Sequence, residues 1–245
     1  MNERKKTLLL TGASRGIGHA TVKRFSEAGW RIITCSRDAP PPECRRDPNW
    51  SHHITADLAV ADEVERFMGE ARAHFGDQLD ALVNNAGVSP KTESGERLHT
   101  LNGDIASWHA VFHLNFFVPL LLGRAFAEAL GRAGGSIVNV TSIAGHYVHP
   151  FAGSAYSISK AALSALTREM ASDFARLGVR VNAVAPGEIE TAMLSPQTPT
   201  LLPRIPLGRL GVPEEVAGAI FFLCGDEARY VTGTEIFVTG GQHVY

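Results

Sequence analysis

Cysteine is scarce in this chain. Cys35, Cys44 and Cys224 are the only three among 245 residues. They are odd in number and lack CxxC spacing, which excludes a zinc ribbon or a disulfide framework and leaves reduced thiols, with a cytoplasmic setting expected. Charge of one sign is also missing. Lys and Arg total 23 against 25 Asp and Glu, a formal net charge of −2, so neither nucleic acid nor a membrane surface is an expected partner. Uninterrupted apolar runs of about 18 residues are absent, so no membrane-spanning helix is expected. The opening residues Met1–Lys6 lead into an apolar segment too brief for a signal-peptide core.

What the chain has is a 44% hydrophobic content and an alternation of short apolar runs with amphipathic segments. Strands are predicted at Thr7–Thr11, Arg31–Ser36, His53–Ala56, Ala81–Asn84, Ser136–Thr141, Arg180–Ala185 and Glu235–Val238. Helices are predicted at Gly16–Ala28, Ala61–Phe75, Asp104–Leu130, Ala155–Leu177 and Pro213–Cys224. Buried strands separated by helices imply an α/β fold, a parallel doubly wound sheet with helices on both faces. No repeat and no composition shift divides residues 1–245, so one domain is expected. Two stretches break the rhythm. Asp38–Trp50, with Pro40-Pro41-Pro42, predicts a crossover carrying little helix. Glu188–Leu210, with four prolines among apolar residues, reads as a lid or binding loop.

Chemistry gathers at the strand ends. Thr11-Gly12-Ala13-Ser14-Arg15-Gly16-Ile17-Gly18 follows a strand and opens a helix. Glycines there allow a sharp turn, and free amides at a helix N-terminus favour a pyrophosphate. The next strand ends in Ser36-Arg37, where an NAD-binding fold would place an acid for the ribose 2′-hydroxyl and an arginine would accommodate a 2′-phosphate. With Arg15 opposite, NADP(H) is expected over NAD(H), although Asp38 would relax that preference if it swung in. Asp57-Leu58, Asn84-Asn85-Ala86-Gly87, Ser142 and Pro186-Gly187 stand at further strand ends, where open α/β sheets bind ligands.

Tyr156 and Lys160 are four residues apart and share a helix face. A lysine charge roughly 4 Å from the phenol would favour the phenolate by about 4 kcal/mol, or roughly three pKa units, before desolvation. Such a phenol suits general acid–base chemistry. His109 and His113 share i,i+4 spacing but lack the intervening Glu of a zinc-protease helix, so no metal is expected. His146 and His149, beyond Ser142, read either as substrate contacts or as a solvated loop. On the helix predicted at Ala155–Leu177, Ile158, Ala162, Leu166, Met170 and Phe174 form an apolar stripe. Ala161, Ala165 and Ser172 lie elsewhere, and a small-residue face would suit a partner helix.

Taken together, Thr11-Gly-x3-Gly-Ile-Gly18, Asn84-Asn85-Ala86-Gly87, Ser142, Tyr156-x3-Lys160 and Pro186-Gly187 resemble the short-chain dehydrogenase/reductase family from Thr7 to Gly241. The resemblance implies a seven-stranded Rossmann sheet of order 3-2-1-4-5-6-7, hydride transfer between NAD(P) and a carbonyl/alcohol pair, and a homotetramer or homodimer. By position, Tyr156 would be the acid–base, Lys160 would lower its pKa and hold the nicotinamide ribose, and Ser142 would bond the substrate oxygen. Asn115 would hold a water leading from Lys160; Pro119, four residues on, cannot donate to its carbonyl. Cofactor contacts would come from Gly12, Ser14, Arg15, Gly16, Ile17 and Gly18, then Ser36, Arg37, Asp57 and Leu58. Asn84, Ala86 and Gly87 would follow, with Pro186, Gly187, Ile189 and Thr191 lining the nicotinamide.

The substrate expected is a ketone or secondary alcohol. A 3-oxoacyl thioester is a frequent identity for sequences of this kind, and a polyol, sugar or steroid-like alcohol is the alternative. An NADP(H)-sensing module without turnover is the rival from outside enzymology. The chain departs from the family in three places: the proline-rich stretch, where Arg45 or Arg46 either adds to phosphate binding or is solvated; the polar insert Ser89–Gly103; and Thr239 before Gly240-Gly241, where many relatives carry Asp.

Overall fold

A computed structural model describes residues 4–41, 44 and 47–244. Apolar β-rich segments form seven parallel strands: β1 (Thr7–Thr11), β2 (Arg31–Ser36), β3 (Trp50–Thr55), β4 (Ala81–Asn84), β5 (Ser136–Val140), β6 (Arg180–Pro186) and β7 (Glu235–Val238). Their spatial order is β3-β2-β1-β4-β5-β6-β7, as the resemblance implied. Among the described residues the α-helices between them are α1 (Gly16–Glu27), α2 (Ala61–Phe75), α3 (Ile105–Phe112), α4 (Val118–Ala133), α5 (Ser154–Phe174) and α6 (Pro213–Cys224).

Successive strand residues point to opposite faces, and two cores result. Leu8, Leu10, Ile32, Val83, Val138 and Val184 join Phe25 of α1 with Val216 and Ile220 of α6. Leu9, Ile33, Leu82, Ile137 and Val181 join Phe67 of α2, Leu122 and Phe126 of α4, and Met170 of α5. Both faces are dry, which is why the central strands read as continuous apolar runs rather than alternating ones.

Three elements differ from the sequence reading. β3 begins at Trp50, not His53, and its register against β2 shifts between Ile32 and Ile33. Exposed Ser51 and half-buried His52 and His53 hide its period, and the Trp50 indole is anchored by Nε1 donating to Thr34 Oγ1 at 2.7 Å. The predicted helix Asp104–Leu130 is α3 and α4 joined by a π-turn at His113–Phe117. By length and composition the span Ile105–Ala133 is apolar enough to cross a membrane; in the fold Leu114, Val118, Leu122, Phe126 and Leu130 are spent on the core. The third is α5, whose buried face is Ser159, Leu163, Ser164, Thr167 and Met170, while Ile158 stays exposed. The expected apolar stripe is therefore inward only in part: Met170 is in the core with Leu166 and Phe174 packed against it. The rest of the buried face is polar, with Thr167 bonded to Asn139, Ser164 to Glu235 and Ser159 to Asn115. Between β2 and β3 no α-helix is present among the described residues; Arg45 and Arg46 lie outside them.

Candidate active site

The carboxyl ends of β1, β2, β4, β5 and β6 open into one cleft of about 760 Å³, the size and position expected for ligands in an open α/β sheet. Every residue named from the sequence for cofactor contact lines it except Asn84. Asn84 is buried in the sheet and donates through Nδ2 to Asn139 Oδ1 at 2.8 Å. Its neighbour Asn85 faces the cleft instead.

Asn85 organises the glycine turn. Its Nδ2 donates to the carbonyls of Thr11 and Gly12 at 3.0 and 2.9 Å, and the amides of Asn85 and Ala86 donate to Thr11 Oγ1. Gly12 sits at φ 75°, and a Cβ on Gly18 would come 2.0 Å from the Gly12 carbonyl oxygen. Side chains are thus excluded from both positions. No side chain caps the α1 N-terminus, so its first amides and positive dipole end are open to an anion, as a dinucleotide pyrophosphate requires. Beyond β2, Ser36 Oγ donates to the Asp38 carbonyl at 2.8 Å. Arg15 and Arg37 are exposed on the cleft rim, and neither is in an ion pair with the protein among the described residues.

At the other end Ser142, Tyr156 and Lys160 come together. Ser142 and Tyr156 line the same wall, and Ser142 Oγ accepts from the Ala144 amide at 3.1 Å. Lys160 Nζ donates to the Val140 carbonyl at 2.7 Å and lies 5.8 Å from the Tyr156 ring centroid. The expectation that Lys160 pulls the phenol toward neutrality needs correcting. Burial pushes the Tyr156 pKa up; the nearby Ser142 hydroxyl opposes that and the Glu188 charge adds to it. Burial also brings Lys160 down to about 8. Taking the ammonium out of water costs more than a single carbonyl returns.

Asn115 is fully buried behind the cleft rather than on it. Its Oδ1 accepts from the Val88 amide at 2.9 Å, and its Nδ2 donates to the Val88 carbonyl and to Ser159 Oγ. The π-turn carries this residue inward, as π-turns at functional positions do. It fixes the chain just after Gly87, where a Cβ would lie 3.4 Å from Lys160 Nζ.

The two loop histidines separate. His146 leaves the cleft for Glu235, at 3.0 Å, and packs on Phe237. His149 is buried and pairs with Glu188 at 2.6 Å on the cleft wall. Glu188 escaped the sequence reading; its only signal was an acid placed directly after Pro186-Gly187 among apolar residues. The insert supplies the opposite wall through Ser89, Pro90, Lys91 and Gly95. From the lid, Met193, Leu194, Pro196 and Thr198 face the cleft, and Leu201 and Ile205 are buried beneath. Thr239 packs against Gly187, where a Cβ would meet its Cα at 3.0 Å. Away from the cleft, His52, Glu70 and His74 bring ligand-type atoms within 4.8 Å of one another, with Glu70 also paired to Arg66.

A family model described as enoyl-(acyl carrier protein) reductase matches residues 12–243. A protein named FixR from Bradyrhizobium diazoefficiens is 55% identical, over 98% of this chain and 87% of the relative. A 3-oxoacyl-[acyl-carrier-protein] reductase from Synechocystis is 36% identical over 97% and 96%. A Brucella ovis short-chain dehydrogenase/reductase, solved with a partially ordered NAD, is 49% identical; the match covers 96% of this chain and 100% of that one, with a TM-score of 0.82. With fold, cleft and family model in agreement, this chain belongs to the short-chain dehydrogenase/reductase family and is an oxidoreductase acting on alcohol or ketone groups.

Proposed function

We propose that the protein moves a hydride between NADP(H) and a ketone or secondary alcohol, with Tyr156 as the proton donor or acceptor. The observation that carries the reading is the convergence of Ser142, Tyr156 and Lys160 on the wall of one cleft that also holds the open α1 N-terminus. The dinucleotide supplies the hydride, and the protein supplies position and a proton. Ser142 and the Tyr156 hydroxyl present two hydrogen bonds to one substrate oxygen, which stabilise it as negative charge develops there. In reduction Tyr156 gives that oxygen its proton; in oxidation it takes one. Lys160 holds a positive charge beneath the cleft floor, and Asn115 holds the Val88 segment against it.

NADP(H) is favoured over NAD(H) by Arg15 and Arg37, two guanidiniums on the rim with no carboxylate at position 36. Among substrates, a 3-oxoacyl thioester and a polyol, sugar or steroid-like alcohol fall within the same chemistry. A homotetramer or homodimer is proposed on Phe117, Leu121 and Ile158, large apolar side chains left exposed on the outer surface of the π-turn, α4 and α5. A reducing, cytoplasmic setting agrees with cysteines that are few, odd in number and without CxxC spacing.

The test is Tyr156→Phe. NADPH binding, followed by fluorescence, should persist while turnover across a carbonyl panel falls by about 10²–10⁴-fold. Undiminished turnover in that variant would remove Tyr156 from the chemistry. Retained physiological activity without any turnover in the wild type would favour the sensing module.

A further inference from the structure

The substrate end of the cleft holds a carboxylate that the proton-transfer step does not use. Glu188 lies directly after β6, lines the cleft and is 6% exposed. Its Oε1 accepts from His149 Nε2 at 2.6 Å. The other ring nitrogen fixes the imidazole's form. His149 Nδ1 accepts from the amides of both Phe151 and Ala152, at 3.2 and 3.1 Å, so the proton sits on Nε2 and points at Glu188. A ring held this way orients the carboxylate without cancelling its charge. No hydrogen bond is made to Glu188 Oε2 among the described residues. Oε2 is not among the buried side-chain atoms left without a partner, so it opens on the cleft and offers an acceptor to a donor on the ligand.

We propose that Glu188, oriented by His149, is a substrate subsite that takes a hydroxyl or ammonium donor of a neutral or cationic substrate and turns away a carboxylate at that position. The proposal rests on the oxidoreductase reading above and narrows its substrate class. Lys91, on the insert wall, is directed elsewhere: its ammonium donates to the Phe151 carbonyl, and it forms no ion pair with Glu188 among the described residues. The field of Glu188 reaches the reacting centre. After burial, its charge is among the causes that raise the Tyr156 phenol, and it helps push Tyr147 up to about 12. A group close enough to act on the phenol is close enough to act on a substituent of the molecule bound against it. A site built around an unpaired polar group discriminates strongly against ligands that leave it unpaired or repel it.

The experiment compares two ketones of one ring, 4-hydroxycyclohexanone and 4-oxocyclohexanecarboxylate, by kcat/KM with NADPH in the wild type and in Glu188→Gln. Gln keeps the shape and the acceptor for His149, so the unfolding midpoint should hold. The wild type should favour the hydroxy ketone by about tenfold or more, and the ratio should fall by about tenfold in the variant. A ratio that the substitution leaves unmoved, or a wild type that prefers the keto acid, overturns the proposal. Should neither ketone be reduced, the oxidoreductase reading fails for this pair and the subsite is judged on binding alone. Calorimetric Kd values of the two ketones, taken with the protein saturated in NADP+, must then differ about tenfold in the wild type and converge in Glu188→Gln. Equal values in the wild type overturn it.

Discussion

Lys160 stands buried with one protein acceptor, and that makes its charge conditional. Its pKa of about 8 lies below the ordinary 10.5 of the unfolded chain. Below pH 8 both states hold the proton, and the folded state bears the full cost of a buried ammonium. Between 8 and 10.5 the unfolded chain binds more protons, so stability rises with pH, and above 10.5 the cost is gone. The unfolding midpoint of the wild type, measured against Lys160→Met, should therefore gain ground from pH 8 to 10.5. A difference that stays flat across that window would contradict the burial assigned to Lys160. On the cofactor side, Arg37→Ala should raise the KM for NADPH by about tenfold while leaving that for NADH nearly unchanged, the loss of one charge-assisted contact. A wild-type KM lower for NADH than for NADPH would end the NADP(H) preference.

Elements in this fold are fastened by buried polar side chains at their ends. Glu235 of β7 accepts from Thr141 Oγ1 at the end of β5 and from Ser164 Oγ of α5 at 2.9 Å, and it also meets His146. One carboxylate thus ties the segment carrying Ser142 to the helix carrying Tyr156. Glu235→Ala removes a charged acceptor from two hydroxyls, which keep the Val184 and Lys160 carbonyls, and should cost about 1–3 kcal/mol, read as a lower denaturant midpoint. Because Ser142 loses its support, kcat should fall in the same variant, whereas a purely local loss would spare it. The glycine turn is the second fastening. Gly18→Ala places a methyl 2.0 Å from the Gly12 carbonyl oxygen and 2.6 Å from Asn85 Nδ2, so the backbone itself must move. NADPH affinity, titrated by fluorescence, should drop more than stability does; unchanged affinity would mean that the turn is not the cofactor cradle.

Across the whole molecule, one sheet edge collects every group assigned to function, because parallel strands all end on the same side. The two cores beneath are made of short apolar strands with few polar interruptions, which leaves that edge rigid and the loops above it free to differ. The outer surface is where assembly is read: Phe117, Leu121 and Ile158 are 48, 37 and 46% exposed. Light scattering should give a mass of two or four chains, and Ile158→Glu should shift it toward the monomer. A wild-type monomer at micromolar concentration would reject the assembly.

Much of this was legible along the chain because the signals are local. A strand-turn-helix glycine pattern, an i,i+4 phenol and ammonium, and apolar runs at strand spacing depend only on neighbouring residues, and they made element types and sheet class readable and put Tyr156 and Lys160 on one helix. What stayed hidden joins residues far apart in sequence: Glu188 with His149, Glu235 with Thr141 and Ser164, Asn85 rather than Asn84 on the cleft. Their partners are chosen by crossovers of the sheet, and no local pattern encodes them. The direction of the Tyr156 shift was decided in the same way. Helical spacing places a lysine near the phenol, but only packing sets how much water each loses, and here burial is the first cause of the Tyr156 shift.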